Sequence, residues 1–509
     1  MKKKKTLALV LALLMLAPAV VSCSNNSASG DENETTAPTS AEPQTEAAAD
    51  ETEAPDPFAG ITFDGRDFRV STSTNQAEIT FSTSNNYIEG PEELTGDAAI
   101  DAAFERNVYV EDLLDVNMVY TQETVGYDGV ANLVRGYVQA AEDSFDLIIN
   151  DIYGTAPLSV EGAFHNTLNL ANFDFSKPYW YSDFMRDITM NYNYQYMLAG
   201  DYFIDVLRSS HGMIFNKSLY ADMFGDGEAL YETVLNGQWT YDVLLDIMSS
   251  SYVDTNGNGQ KDKNDLYGYV AQQFWGPMIP FLISANPGFV ERDENGYPTI
   301  TVYNERSLTL CDYLEKFFDN QGVGAYLVFN DKAEDVIANF TSGLSIFIGQ
   351  QRLGSLEYSV FRSMEQEIGI IPYPKLTEAD EYITSAHDTS EVGLIPITAP
   401  EKNLDYISTV IEVLNRETNK SVLPVYYENA LKVKYTRDNA SAQMIDIIHD
   451  NLGDSFALAW SNELDQILMQ NTFFQVINSG GEFASYYNSR IKAAEKKLEN
   501  IIDAFETRD

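Results

Sequence analysis

The feature that most constrains the fold is an alternation of short β-rich runs with an amphipathic stretch early in the chain. Phe68–Thr72 is rich in β-branched and aromatic residues, Ala98–Leu114 has the apolar spacing of a helix, and Asp146–Asn150 is a strand with an apolar centre. A strand, a helix and a strand in this order predict a parallel sheet in an α/β fold. Ligands of such sheets bind beyond the carboxyl ends of the strands, so we expect a site near Asp151–Gly154, which we interpret as a loop.

The same alternation continues to the end of the chain. Further predicted strands are Gly343–Gly349 and Gly369–Pro372, and further predicted helices are Leu404–Glu417, Ala440–Asn451 and Tyr487–Phe505. Residues 58–509 are too many for one typical core, so we expect at least two domains.

The first 57 residues have the composition of an export signal followed by a linker. Met1–Ser22 joins a Lys-rich start to an apolar run that is too short to span a membrane. Val20–Cys23 resembles a lipobox, in which Cys23 receives the lipid. Residues 23–57 are rich in Ser, Thr, Ala, Pro and acidic side chains and contain no aromatic residue, which predicts a disordered acidic linker. Together these features predict a lipoprotein anchored to the outer face of a cell membrane.

Charge and cysteine content exclude several partners and linkages. The chain has 32 Lys and Arg against 77 Asp and Glu, a formal net charge of −45, so nucleic acid and anionic bilayers would be repelled. A neutral ligand would not be affected. Because Cys23 is assigned to the lipid, we expect no intrachain disulfide, and the apolar helical pattern around Cys311 predicts a core position for it.

The segment Asp254–Asp265 has the spacing of an EF-hand calcium loop, with Gly259 at the sixth position, where the chain must turn sharply. The predicted ligands are Asp254, Asn256, Asn258, Gln260, Asp262 and Asp265. The last ligand is Asp rather than Glu, and positions three and five are Asn, which lowers the charge of the ligand set, so we expect modest affinity for a structural Ca²⁺, with Mg²⁺ as an alternative ion. A metal-free Asn/Gly turn is the other interpretation.

Several motifs, in this order along the chain, resemble the extracellular solute-binding proteins of bacterial ABC importers. They are Phe215–Tyr220 (FNKSLY), Gly237–Asp242 (GQWTYD), Gly343–Gly349, Ile368–Lys375 (IGIIPYPK), Leu423–Tyr427 and Lys434–Asp438. Their order, together with the lipobox, is similar to that of the large carbohydrate-binding lipoproteins of this family, which are related to maltose-binding protein.

The resemblance implies a two-lobed α/β fold of the periplasmic-binding-protein type (type II), in which each lobe is a central sheet flanked by helices and a hinge joins the lobes. It assigns residues 58–158 plus 378–423 to the first lobe and residues 159–377 plus 424–509 to the second. It also implies a monomer that is not an enzyme. Such a protein captures a sugar or oligosaccharide and delivers it to ABC permease subunits in the membrane, closing on the ligand as it binds.

Sugars are bound by aromatic faces and by polar side chains that fix their hydroxyls, so residues of these types on loops after strands are candidates. Four candidates follow predicted strands, His387 and Asp388 lie near the expected return crossing between the lobes, and Trp275 is the best stacking candidate among four tryptophans. The candidate ligand-binding residues are Asp151, Tyr153, Trp275, Gln350, Arg352, His387 and Asp388. A core position is the alternative for Trp275, and a structural role is the alternative for His387. Tyr179 and Trp180 suit either stacking or packing, whereas Trp239, at a helix start, is interpreted as structural.

Two other functions stay compatible with the sequence. A surface glycoside hydrolase would use two of the abundant carboxylates, although no pair stands out and no catalytic triad or HExxH motif is present. A binding protein for peptides or another solute, or a lipoprotein that captures polymers without a transporter, is the second alternative.

Overall fold

The computed structural model describes residues 56–73, 85–123, 125, 129–319, 324–328, 333–431, 439–453 and 455–507. The predicted export signal, Cys23 and the motif Lys434–Asp438 lie outside the described residues. Asp56 is bound by Arg416, whose Nη1 lies 2.6 Å from Asp56 Oδ1, so the folded part includes the last two residues of the predicted linker. Among the described residues, no helix combines the length and the apolar composition that a membrane span requires.

Strands and helices alternate along the described chain, as the sequence pattern predicts. The strands are β1 Arg66–Ser73, β2 Val116–Glu123, β3 Leu147–Asp151, β4 Met213–Asn216, β5 Tyr267–Gln272, β6 Val290–Arg292, β7 Pro298–Ile300, β8 Ala325–Val328, β9 Ser345–Ile348, β10 Ile368–Ile371 and β11 Glu391–Leu394. The α-helices are α1 Asn85–Ile88, α2 Ala98–Leu114, α3 Val130–Ala140, α4 Ile152–Val160, α5 Ser182–Asp187, α6 Asp205–Arg208, α7 Lys217–Phe224, α8 Ala229–Leu235, α9 Tyr241–Ser250, α10 Ile279–Ala285, α11 Glu305–Phe317, α12 Ala333–Thr341, α13 Ser359–Arg362, α14 Leu404–Glu417, α15 Leu423–Leu431, α16 Asn439–Asp450, α17 Phe456–Trp460, α18 Gln475–Ser479 and α19 Phe483–Glu506.

Two sheets form the centres of the two lobes. The first has the strand order β11-β3-β1-β2, in which β1 runs parallel to β2 and β3, and β11 runs antiparallel to β3. The second has the order β10-β4-β9-β5-β8, in which β5 runs parallel to β8 and β9. Strands β6 and β7 pair separately as an antiparallel hairpin. The first sheet therefore joins three strands from the early part of the sequence to one strand, β11, from much later in it. The residue boundaries of the lobes stay a prediction.

Most local predictions are confirmed, with one error beside the first sheet. The parallel pairing of β1 with β3 confirms the strand, helix and strand inference, and α2 and α14 have the predicted bounds. The loop predicted at Asp151–Gly154 is wrong, because α4 begins directly after β3. The Asp151 carboxylate accepts the Gly154 N–H at 2.6 Å, so this side chain caps the helix and lets it start without a loop.

Trp239 and Cys311 are buried in the core, which confirms the structural positions predicted for them. Trp239 is fully buried, and its Nε1 donates to the Pro372 carbonyl oxygen at 3.0 Å. The next residue, Thr240, caps α9. Cys311 is a buried free cysteine on α11.

Tyr179 and Trp180 are also packed inside the protein. Their side chains share one carboxylate on α14: the Tyr179 hydroxyl donates to Glu412 Oε1 at 2.6 Å, and Trp180 Nε1 donates to Glu412 Oε2 at 2.9 Å. Both side chains are buried, so the packing interpretation is the correct one.

Candidate functional site

A cavity of about 450 Å³ lies beyond the carboxyl ends of β3, β5 and β9, and strands of both sheets therefore lead to it. This volume falls within the range of roughly 300–1,000 Å³ that is common for small-molecule sites. The residues that line it are Tyr153, Phe274, Trp275, Gly276, Ile279, Gln350, Arg352, His387, Asp388, Thr389, Leu458, Ser461, Asn462, Gln466, Met469 and Gln470.

The wall next to the first sheet is built on the start of α4. Because Asp151 caps this helix, Tyr153 lies in its first turn and lines the cavity. The Tyr153 N–H donates to the Asp388 carbonyl oxygen at 3.1 Å, and the Ile152 N–H donates to the Ser390 carbonyl oxygen at 3.0 Å. Backbone hydrogen bonds therefore hold the segment before β11 against the helix that follows β3.

His387 and Asp388 form a pair on this wall. His387 Nδ1 lies 2.9 Å from Asp388 Oδ1 and 2.9 Å from Thr389 Oγ1. Burial lowers the pKa of His387, and the nearby Arg352 charge lowers it further against the opposing effect of Asp388. Burial raises the pKa of Asp388, but His387, Arg352 and the Thr389 N–H outweigh burial and hold the pKa below its ordinary value. At neutral pH the imidazole is therefore uncharged and the carboxylate is ionised.

Arg352 supplies the positive charge of the site. It follows β9, is 9% exposed, and its backbone N–H donates to Ser355 Oγ at 3.1 Å. Burial lowers the pKa of Arg352 to about 10, and the charges of Tyr358, Asp388 and Asp205 oppose this shift. The guanidinium stays protonated at neutral pH, and Asp388 carries the opposite charge at the cavity wall.

Gln350 reaches the cavity from a left-handed backbone conformation, with φ of 58°. Its N–H donates to the Tyr373 hydroxyl at 3.2 Å. A Cβ atom on Gly276 would lie 2.7 Å from Gln350 Nε2 and 2.5 Å from the Phe274 ring, so a larger residue at this position would displace both side chains from the cavity. Such backbone strain in a residue other than glycine is typical of functional sites.

The aromatic part of the cavity comes from the segment after β5. Phe274 and Trp275 are both partly exposed and line the cavity, while Trp275 also packs against the main core. Half-buried rings of this kind offer a flat face to the C–H surface of a ligand.

A further wall comes from residues 458–470, which the sequence analysis missed. This segment begins within α17 and places Leu458, Ser461, Asn462, Gln466, Met469 and Gln470 at the cavity. Trp460 Nε1 anchors the segment by donating to the Ile188 carbonyl oxygen at 2.8 Å. No predicted strand precedes the segment, so a search after strand ends could not find it. Its uncharged amide and hydroxyl side chains were the available signal.

Six of the seven candidate ligand residues line this cavity: Tyr153, Trp275, Gln350, Arg352, His387 and Asp388. The seventh, Asp151, does not line it, because its carboxylate is buried under the start of α4. Their contact with a ligand stays a prediction.

Buried acidic side chains lie beneath the cavity. Asp151 and Glu391 are register partners in the pairing of β3 with β11, and the Glu391 N–H donates to Asp205 Oδ2 at 3.0 Å. Burial raises the pKa of Asp151 to about 7, although the Gly154 N–H partly offsets it. Burial also raises the pKa of Glu391 well above its ordinary value, and the charges of Asp205 and Asp151 add to this.

His211 lies behind His387, with the two ring centroids 5.7 Å apart. Its Nδ1 is 2.9 Å from Ser385 Oγ, and its Nε2 has no hydrogen-bond partner among the described residues. Burial lowers the pKa of His211 well below its ordinary value, and His387 and Arg352 add to the effect. His211 is not among the candidates predicted from the sequence.

The predicted calcium loop is a separate structure with left-handed glycines, Gly257 at φ 69° and Gly259 at φ 71°. The two carboxylate oxygens of Asp254 accept the N–H groups of Gly257 at 2.7 Å and Gly259 at 2.8 Å. Asp262 Oδ2 accepts the side-chain amides of Asn256 at 3.1 Å and Asn258 at 2.8 Å. The side chains of three predicted ligands, Asn256, Asn258 and Asp262, therefore meet at Asp262 Oδ2.

The other candidate metal ligands take part in the same turn. Asp265 is buried, and its carboxylate accepts the N–H groups of Thr255 and Asp262, each at 3.2 Å. The Gln260 N–H donates to Asn258 Oδ1 at 2.6 Å. Across the described residues, no three His, Cys, Asp or Glu side chains are grouped as metal ligands. The oxygen-rich side chains suit Ca²⁺, but the ion would have to replace the amide contacts of Asp262. Calcium binding stays a prediction.

No protein-family model matches this chain, and no curated protein does. Solved structures do match. A cyclo/maltodextrin-binding protein complexed with maltotetraose aligns with a TM-score of 0.55 at 11% identity, over 85% of this chain and 98% of that one. A solute-binding protein of an ABC transporter from Thermotoga lettingae TMO, bound with alpha-D-tagatose, aligns with a TM-score of 0.53 at 10% identity, over 85% and 100%.

The maltose-binding periplasmic protein from Listeria monocytogenes, in complex with maltose, aligns with a TM-score of 0.52 at 15% identity, over 86% of this chain and 99% of that one. At such identities the likeness establishes the fold alone. The chain therefore has the two-lobed α/β fold of the maltose-binding type, as the sequence predicted.

Proposed function

We propose that this protein is an extracellular solute-binding protein of an ABC importer, which captures a sugar or an oligosaccharide and delivers it to a membrane permease. The observation that carries the proposal is the cavity, which lies where strands of both sheets end and combines aromatic rings with amide, hydroxyl and charged side chains. A pocket with this mixture suits a ligand that has both C–H faces and hydroxyls.

The fold supports the same function. The proteins of this fold named above were solved with maltotetraose, alpha-D-tagatose and maltose bound. Two lobes that both contact one ligand convert binding into closure, because the closed state has the higher affinity. A permease can then distinguish the loaded protein from the empty one.

A glycoside hydrolase is less well supported. Most such enzymes use two carboxyls that flank the scissile bond. Among the described residues that line the cavity, Asp388 is the single carboxylate, and it is paired with His387. This composition favours binding without reaction.

The lipid anchor forms part of the proposal. A lipid on Cys23 would keep the receptor at high effective concentration near its permease. Growth of cells expressing the full chain with a clickable fatty acid should label the protein, and Cys23→Ser should abolish the label. Equal labelling of the variant would contradict the anchor without affecting the sugar proposal.

The function is tested by thermal-shift measurements of the purified protein with neutral saccharides and, separately, with short peptides. We expect a rise in melting temperature with at least one saccharide, together with unchanged saccharide on chromatography. Released sugar would support the hydrolase instead. Stabilisation by peptides and by none of the saccharides would support the peptide-binding alternative.

A further inference from the structure

The side chains of segment 458–470 that line the cavity offer hydrogen-bonding groups but no charge, because Glu463 and Asp465 of this segment do not line it. Its polar side chains at the cavity are Ser461, Asn462, Gln466 and Gln470. Ser461 is 6% exposed, lines the cavity, and its Oγ has no hydrogen-bond partner among the described residues. A buried hydroxyl without a partner costs free energy, so a ligand group that satisfies it would be bound selectively.

The remaining charges at the cavity are already balanced within the protein. Arg352 faces the Asp388 charge, and Asp388 is paired with His387, whose pKa is lowered by burial. A charged group on the ligand would therefore enter a buried site without a counter-charge of its own. Burial of an unpaired charge is strongly unfavourable in general.

The wall is also held in one shape. Asp465 and Gln466 have left-handed backbones with φ of 60° and 52°, and the Gln466 N–H donates to the Ser461 carbonyl oxygen at 2.6 Å. Trp460, next to Ser461, is buried and hydrogen-bonded to the Ile188 carbonyl oxygen. A preorganised wall discriminates between ligands better than one that can adapt.

We propose that Ser461, Asn462, Gln466 and Gln470 select the ligand of this cavity and that the ligand is an uncharged sugar, as opposed to a sugar acid, a phosphorylated sugar or an amino sugar. The inference rests on the proposed function, since it names the class of sugar. The orphan Ser461 hydroxyl and the amides of Asn462, Gln466 and Gln470 would bind ligand hydroxyls. The net charge of −45 further disfavours anionic ligands.

Titration calorimetry with matched sugars tests the proposal. Glucose is compared with glucuronate and glucosamine, cellobiose with cellobiouronate, and N,N′-diacetylchitobiose with its deacetylated form. In every set that binds, we expect the neutral member to bind at least about tenfold more tightly than its charged analogues, as unpaired buried charge requires. Equal or tighter binding of a charged member overturns the inference but leaves sugar binding intact. Binding of peptides and of no sugar overturns both.

Variants of the wall separate its role from general stability. Ser461→Ala should weaken binding of the neutral sugar about tenfold, as expected for loss of one hydrogen bond. Gln466→Glu keeps the shape and adds a negative charge, so it should weaken the neutral sugar and strengthen glucosamine or deacetylated chitobiose. Ser485→Ala, at an exposed position on α19, is the matched control and should bind like the parent. If Ser461→Ala and Gln466→Glu both keep the parent's affinities at the parent's melting temperature, the wall does not select the ligand.

Discussion

Asp151 and Glu391 lie opposite each other in the antiparallel pairing of β3 with β11, and both carboxyls are buried, at 2% and 8% exposure. The Glu391 N–H also binds Asp205, so three acidic residues meet under the cavity. Burial raises the pKa of both Asp151 and Glu391, which means that they retain protons at a pH where exposed carboxyls are ionised. This buried acidic cluster is therefore a source of pH dependence.

The first prediction concerns stability against pH. Burial raises the pKa of Asp151 from 3.8 to about 7, so the folded state binds its proton more tightly than the unfolded state. This carboxyl favours folding most below pH 4, and the benefit is lost as the pH rises through about 7. Asp151→Asn keeps an oxygen for the Gly154 N–H but cannot ionise. At pH 8 it should increase the free energy of unfolding by about 1–3 kcal/mol, measured by urea denaturation.

The difference between Asp151→Asn and the parent should shrink towards pH 4. Asp503→Asn, at an exposed position on α19, serves as the control and should not change the slope of stability with pH. If the free energy of unfolding of the parent instead rises from pH 4 to pH 8 in parallel with that of Asp151→Asn, the Asp151 carboxyl does not hold a proton in the folded state.

The second prediction concerns the balance of charge between Arg352 and Asp388. Arg352→Met removes the buried cation and leaves the Asp388 carboxylate without it, so stability should fall by about 3 kcal/mol or more. Adding Asp388→Asn should recover part of this loss, because the remaining charge is removed as well. A double-mutant cycle of unfolding free energies measures the coupling. Additive effects of the two substitutions would show that the two charges do not interact.

The third prediction concerns the aromatic face. Trp275→Ala should weaken sugar binding about tenfold or more, because a stacked ring contributes about 0.5–1.5 kcal/mol beyond the area it buries. Since Trp275 is partly exposed, its fluorescence should also change when the parent binds the sugar. Tyr303→Ala is a control, because Tyr303 is an aromatic residue with 44% exposure that does not line the cavity. Unchanged affinity of Trp275→Ala would place the ligand away from this wall.

The site could be predicted only where it depends on local sequence. Gln350 and Arg352 follow a strand with an apolar pattern, so the rule that ligands bind beyond strand ends reaches them, whereas Trp275 was predicted from its ring, which can stack on a sugar. Ser461 and Gln466 follow a helix. Their place at the cavity depends on the contact of Trp460 with Ile188, which lies 272 residues away in sequence. Periodicity carries no information about such a contact.

For the fold, too, local elements could be predicted from the sequence, whereas contacts between distant segments could not. The bounds of α14 were predictable because it has a strong apolar period over several turns, whereas α2 begins after the capping residue Asp97 and keeps its buried residues at helical spacing. Strand β11, in contrast, has four residues, and its pairing with β3 joins segments about 240 residues apart. The cap at Asp151 was missed for a related reason, because Asp after a strand suits a turn as well as a helix start.

The last prediction concerns calcium and the loop Asp254–Asp265. If the loop binds Ca²⁺ only when folded, calcium at about 100 times its dissociation constant should stabilise the protein by about 2.7 kcal/mol, and EDTA should reverse this. Asp254→Ala together with Asp265→Ala should abolish the calcium-dependent rise in melting temperature. Because Asp265 is buried and binds backbone N–H groups, the double variant should melt at a lower temperature than the parent even in EDTA. Calcium binding is therefore measured by the rise in melting temperature when calcium is added, not by the melting temperature itself. Sugar affinity should be nearly unchanged, since none of these residues lines the cavity. If the parent melts at the same temperature in calcium and in EDTA, the loop is a metal-free turn. If the double variant is folded but no longer binds sugar, the loop does more than stiffen the structure.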